Sequence, residues 1–141
     1  MSYLQETLIN GEEVVYEGRL SIWFLLPTIF LGVIFLLLSI YFIWSILVAL
    51  VMFGLAYATY ISTELAFTNK RVIAKVGFIK RVTVELNISK IETIQVRQSV
   101  LGRIFNYGSI IIAGAGNPQA PIAGISQPMV FRNKFMEYTN K

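Results

Sequence analysis

The chain of 141 residues contains no cysteine, no histidine and no aspartate. These absences exclude disulfides, thiolate nucleophiles and zinc sites of the usual kind. The commonest general base goes with histidine. Charge is also scarce, at 14% of residues against about 25% in ordinary soluble domains. The scarcity is local: 44 consecutive residues between Arg19 and Glu64 carry no charged side chain. The remaining acids give catalysis little to work with, since Glu64, Glu85 and Glu92 form no paired arrangement in sequence. The expectation is therefore a protein that is not an enzyme, with no catalytic residues, no cofactor and no metal.

What the chain does have is apolar length. A bilayer-crossing helix needs about 20 apolar residues, and the uncharged block is about twice that. It divides into two transmembrane spans, about 22–40 and 43–61, forming a hairpin over 21–61. The aromatic residues fit this division, because Trp and Tyr favour membrane interfaces. Trp23 and Phe24 open the first span, Tyr41, Phe42 and Trp44 mark the turn, and Tyr57 and Tyr60 close the second. The turn holds no Gly, Pro or charge, and a hairpin stopping short of the far interface fits the same pattern. Gly32, Gly54, Ala56 and Ala58 are small enough to let the helices approach closely, though ordinary lipid-facing positions are the favoured reading.

Residues 1–19 carry Glu6, Glu12, Glu13 and Glu17 against Arg19 alone, unlike the basic start of a secretory signal. Basic residues cluster after the second span and are missing from the turn. The positive-inside rule then places both termini in the cytoplasm.

Outside the hairpin the period changes to two, the mark of half-buried strands. In residues 71–76, Val72, Ala74 and Val76 share one face. In residues 81–86, Val82, Val84 and Leu86 do the same. Gly77 suggests the turn between them, residues 87–90 the next turn, and residues 91–98 another strand. Ser99 is placed to cap a short helical turn through Phe105. Asn106-Tyr107-Gly108 reads as a turn, 109–113 as a strand and 114–121 as a loop. Gly114-Ala115-Gly116 is no dinucleotide fingerprint, because Gln119 stands where the third glycine belongs. Ser126 and Pro128 open a final helix whose Phe131, Phe135 and Tyr138 recur at i, i+4, i+7, the spacing of a core-facing stripe. Ahead of the hairpin, residues 13–20 form an extended segment. The organisation expected is an N-terminal segment 1–20 with the first strand, the hairpin 21–61, and a cytoplasmic domain 62–141. In fold class this is a membrane protein of α+β type, with a small antiparallel sheet or barrel and a C-terminal helix.

Three stretches, in this order around a two-helix segment, resemble bacterial PH-domain membrane proteins, a family once catalogued as a domain of unknown function. They are Gly11-Glu12-Glu13-Val14-Val15-Tyr16-Glu17-Gly18, then Thr63-Glu64-Leu65-Ala66-Phe67-Thr68-Asn69-Lys70-Arg71-Val72-Ile73, then Gln98-Ser99-Val100-Leu101-Gly102-Arg103-Ile104-Phe105-Asn106-Tyr107-Gly108. Gly77-Phe78-Ile79-Lys80-Arg81 and Ser89-Lys90-Ile91-Glu92 extend the likeness over almost the whole chain. The resemblance implies a PH-like β fold in the bacterial plasma membrane, with no catalytic activity and no established ligand. It does not imply phosphoinositide binding, because the basic loop that follows the first strand in lipid-binding PH domains is replaced here by the hairpin.

Residues beyond 62 include 11 basic and 4 acidic side chains, a formal charge of +7. Lys70, Arg71, Lys75, Lys80, Arg81 and Arg103 are the candidate surface for lipid headgroups or a partner. Charges that only fix topology and solubility account for the same pattern, and Arg103 equally suits a stem laid over apolar surface. The partners expected are membrane lipid, further copies of the chain or an unknown protein. No motif supports nucleic acid. The function expected is a membrane-anchored binding or scaffolding module, with an oligomeric pore or transport-associated protein as the alternative.

Overall fold

A computed structural model of the chain describes residues 7–78, 81–114, 117–118 and 121–140. Strand β1 (Val14–Arg19) leads into helices α1 (Ile22–Leu38) and α2 (Ser45–Ser62). Three strands follow: β2 (Glu64–Thr68), β3 (Arg71–Val76) and β4 (Val82–Asn87). A 3-10 turn at Ile88–Lys90 leads to β5 (Ile91–Arg97), α3 (Val100–Ile104) and β6 (Tyr107–Gly114). The chain ends with β7 (Asn117–Pro118), β8 (Ile122–Ser126) and α4 (Pro128–Thr139).

The strands make two antiparallel sheets. One runs β1-β2-β3-β4; in the other, β6 pairs with β5, β7 and β8. The sheets meet at one corner, where Leu20 bridges Ile125 and the Ser21 N–H donates to the Gly124 carbonyl at 2.7 Å. Between them lies one core. Leu65, Phe67, Val72 and Ala74 enter it from the first sheet, and Ile94, Ile110, Ile112, Ile122 and Ile125 from the second. Alternation explains which residues face inward: Val72 and Ala74 point in with the half-buried Val76, as the period of two requires.

Helix α4 closes the core with the stripe expected of it. Phe131 and Phe135 are buried, and Phe67 meets them edge-on with ring centroids at 5.5 and 5.6 Å. Tyr16 adds a stacked contact to Phe67 at 6.0 Å. Each such side chain stabilises the fold by about 1.5–3 kcal/mol through burial. Arg132 and Lys134 lie on the exposed side.

Helices α1 and α2 pack together as a hairpin inserted between two paired strands, with Arg19 of β1 opposite Glu64 of β2. The helices are shorter than the spans 22–40 and 43–61 expected from sequence. The turn forms without Gly or Pro because its backbone stays near helical geometry and its serines bond backwards. Ser39 Oγ donates to the Leu36 carbonyl and Ser45 Oγ to the Phe42 carbonyl, both at 2.6 Å. Gly32 is no lipid-facing position: it is buried, and a Cβ there would lie 3.1 Å from Phe53 Cε1. Ala56 is buried as well, whereas Gly54 faces open space.

Strand β8 has no counterpart in the sequence reading. Its buried large residues, Ile122 and Ile125, are three apart, so no alternation marks it, and Gly124 at φ +75° interrupts it with a conformation typical of turns. Ser126 accordingly ends a strand and does not open α4. The residue before α4 is Gln127, at φ 50°, and Pro128 takes the first helical position. Within the loop expected over 114–121, Asn117 and Pro118 pair with β6, while 115–116 and 119–120 lie outside the described residues.

Candidate functional site

The basic residues singled out in sequence do not form one patch. Strand β2 runs away from the hairpin and β3 runs back, so Lys70 and Arg71 sit at the far end of the sheet. Lys75 returns to the hairpin end, opposite Glu64. Four steps along the strand separate Arg71 from Lys75, roughly 13 Å. Arg81, just ahead of β4, is exposed at that near end, where Val82 pairs with Val76. Lys80 lies outside the described residues. Arg103 is exposed on α3, on the other sheet's side of the domain.

Arg71 is held inside a clasp built from the N-terminal segment. Its Nε donates to Glu12 Oε1 at 2.9 Å and its Nη2 to Glu12 Oε2 at 3.0 Å. Nη1 reaches Glu85 Oε2 at 2.6 Å, and Nη2 also reaches the Thr7 carbonyl at 2.6 Å. The guanidinium offers five N–H donors, so most of its capacity is used within the chain. Lys70 Nζ donates to the Asn10 carbonyl at 3.1 Å. Thr68 Oγ1 donates to Glu12 Oε1 at 2.7 Å and accepts the N–H groups of Lys70 and Arg71. Asn69 bonds the Gly11 carbonyl and the Glu13 N–H, both at 3.1 Å. Burial alone raises the Glu12 carboxyl pKa, but the bonds from Arg71, the Ile9 N–H and Thr68 outweigh it and hold it at about 2, below the ordinary 4.5. The Arg71 pKa is raised in turn, first by its bond to Glu12. Gly11-Glu12-Glu13 and Thr68-Asn69-Lys70-Arg71 are thus two halves of one structural clasp.

A different group of residues gathers where the hairpin leaves the domain. The Trp23 ring, in the first turn of α1, stacks on Phe105 with centroids 4.4 Å apart and planes at 16°. Phe24 meets Tyr107 edge-on at 6.1 Å and fills the space beside Gly124, where a Cβ would lie 2.4 Å from its Cδ1. A cavity of about 420 Å³ opens beside this joint, lined in part by Phe24, Pro27, Arg97, Ser99 and Tyr107. Arg97 escaped the sequence reading because it occupies an ordinary outward position at the end of a strand. The α3 residues Val100, Leu101 and Ile104 are exposed next to this joint.

The hairpin itself buries few large side chains. In α2 the buried residues are Ser45, Ala49, Ala56 and Ser62, and in α1 they are Leu25 and Gly32. Leu37, Leu50 and Tyr57 are more than 60% exposed, as are Tyr41, Phe42 and Trp44 at the tip. Helix α2 is long and apolar enough to cross a membrane; α1, at 17 residues, is shorter.

Two antiparallel sheets around one core, closed by a C-terminal helix, define a PH-like domain of α+β class. A family model described as "Bacterial PH domain" matches residues 22–139, and the chain belongs to that family. Strand β1 precedes the matched region yet completes the first sheet. The chain is also similar in structure to a DUF1696-family protein with a pleckstrin-homology domain from Shewanella loihica. The TM-score is 0.50 at 11% identity, covering 96% of this chain and 89% of that one. That likeness concerns the fold alone. No curated protein matches the chain.

Proposed function

We propose that the chain is a non-catalytic binding or scaffolding module, anchored by its helical hairpin and held against the cytoplasmic face of a bacterial inner membrane. One observation carries this reading. An apolar helical pair leaves the domain between two paired strands, with Gly32, Ala49 and Ala56 turned inward and most of its large apolar residues turned out. In water such a surface far exceeds the isolated apolar patches of soluble monomers; in a bilayer it has its solvent. The helices measure about 25–27 Å at 1.5 Å per residue, close to the roughly 30 Å hydrocarbon core. Basic residues occur on the domain side and none at the tip, which supports the cytoplasmic orientation.

The ligand is a lipid surface, a protein or another copy of the chain. Strand β4 ends its sheet and gives copies an edge for pairing. The test is native mass spectrometry of the full chain purified in lipid nanodiscs. A discrete homo-oligomer or a reproducible stoichiometric partner supports scaffolding. A monomer carrying only bulk lipid contradicts it.

A further inference from the structure

Helix α3 displays its apolar residues outward. Val100, Leu101 and Ile104 are 77%, 58% and 68% exposed. At roughly 100° per residue the three fall on one side of the turn. Gly102 falls on the other side, buried so closely that a Cβ would lie 2.6 Å from the Tyr107 carbonyl oxygen. The display is held firmly. Ser99 Oγ accepts the Gly102 N–H at 3.0 Å, and Gln98 Nε2 donates to the carbonyls of Gly102 and Tyr107 at 3.3 and 3.1 Å. Since the domain's side of α3 is filled by backbone, the three apolar side chains have no path into the core.

Their position bears on what covers them. Phe105 follows α3 directly and stacks on Trp23, in the first turn of α1. The apolar face of α3 is therefore continuous with the start of the hairpin. Charge flanks it on the same side of the domain: Arg103 lies on α3, and Arg97 lines the cavity shared with Phe24 and Pro27. Apolar residues beside arginines, level with an interfacial Trp, form the pattern of an element lying in a membrane interface.

We propose that α3 is a second membrane contact. Val100, Leu101 and Ile104 enter the boundary between headgroups and acyl chains of the leaflet the hairpin enters, and Arg97 and Arg103 meet anionic phospholipid headgroups. The inference rests on the bilayer reading of the hairpin given above. Its consequence is orientation: a hairpin alone leaves the domain free to tilt, whereas a hairpin and a foot fix which face points to the cytoplasm.

The chain's lack of cysteine allows a direct test with single-cysteine variants of the full chain. L50C, L101C and K134C are labelled with an environment-sensitive fluorophore and reconstituted in phosphatidylcholine–phosphatidylglycerol vesicles. L101C is expected to be blue-shifted and quenched by lipids bearing a nitroxide near the headgroup, at least twofold more than K134C on the exposed side of α4. L50C is expected to be quenched by nitroxides deep in the chains. Quenching at L101C should rise with the phosphatidylglycerol fraction, and R97Q/R103Q should abolish that rise. Quenching at L50C without quenching at L101C overturns the foot and leaves the hairpin reading standing. No quenching at L50C overturns the hairpin reading and the foot with it. A blue shift at L101C without lipid quenching means that protein, such as a second copy, covers α3, and overturns the proposal. A signal independent of phosphatidylglycerol overturns the headgroup role of the arginines.

Discussion

Glu12 and Arg71 stand 59 residues apart in sequence, yet Arg71 Nε lies 2.9 Å from Glu12 Oε1. The Glu12 side chain is fully buried, and the segment before β1 is thereby fastened to the turn between β2 and β3. Arg71 keeps Glu85 and the Thr7 carbonyl when the Glu12 charge is removed, so what is lost is the charge-assisted bonding of Glu12, about 1.5–3 kcal/mol. E12Q is expected to destabilise the domain by that order in denaturant titrations of the detergent-solubilised chain. E85Q removes a partner whose side chain is 36% exposed, and its expected cost is at most about 1 kcal/mol. Equal effects of the two substitutions would contradict the clasp.

The same pair sets an acid dependence. The folded Glu12 carboxyl sits at about 2 against an ordinary 4.5. A lowered folded pKa adds stability that is whole above the unfolded value and is lost as pH falls through the folded one. The contribution is therefore complete above about pH 4.5 and fades toward about pH 2. Stability measured across that window should fall more steeply in the parent chain than in E12Q. Parallel curves would argue against the pair.

Gly32 and Gly54 offer a matched comparison inside the hairpin. A side chain at Gly32 meets Phe53, whereas one at Gly54 meets nothing within 4 Å. G32L is expected to force the helices apart at about 1–3 kcal/mol, the usual cost of overpacking. G54L is expected to be near neutral. Resistance to sodium dodecyl sulfate in lipid-reconstituted protein distinguishes them.

Gly124 couples the hairpin to the domain. Its φ of +75° and the Phe24 ring beside it leave no room for a methyl group. G124A should shift the Phe24 ring, expose the Ser21–Gly124 bond and speed amide exchange at Ser21, while exchange in β3 stays unchanged. Unaltered exchange at Ser21 would mean the joint is looser than its geometry.

Much of the domain was legible because its strands are half-buried. Val72, Ala74 and Val76 share the core-facing side of β3 at a period of two, although Ile73 on the other face is buried as well, and Phe131 and Phe135 recur at helical spacing, so residue pattern places them. Strand β8 was not legible, because Gly124 at φ +75° breaks its period of two, so that Ile122 and Ile125, three residues apart, both enter the core. The roles of the basic residues were less legible still. Arg71 looks like its neighbour Lys70 in sequence, and only the long-range fold brings Glu12 to it. Arg97 carries no local signal, and it becomes notable only when the fold sets it beside Phe24 and Pro27. The outward face of α3 was hidden for the same reason: the sequence places Val100, Leu101 and Ile104 in a short helical turn, and only the fold shows that Gly102 takes its inner side.

The proposed bilayer-embedded hairpin is the point on which the functional account turns, and alkaline carbonate extraction of cell membranes containing the full chain tests it most directly. With the hairpin in the bilayer, the chain is expected to stay in the membrane pellet and to be released only by detergent. Quantitative release into the carbonate supernatant would contradict it, and would mean that the outward apolar faces of α1 and α2 are covered by protein.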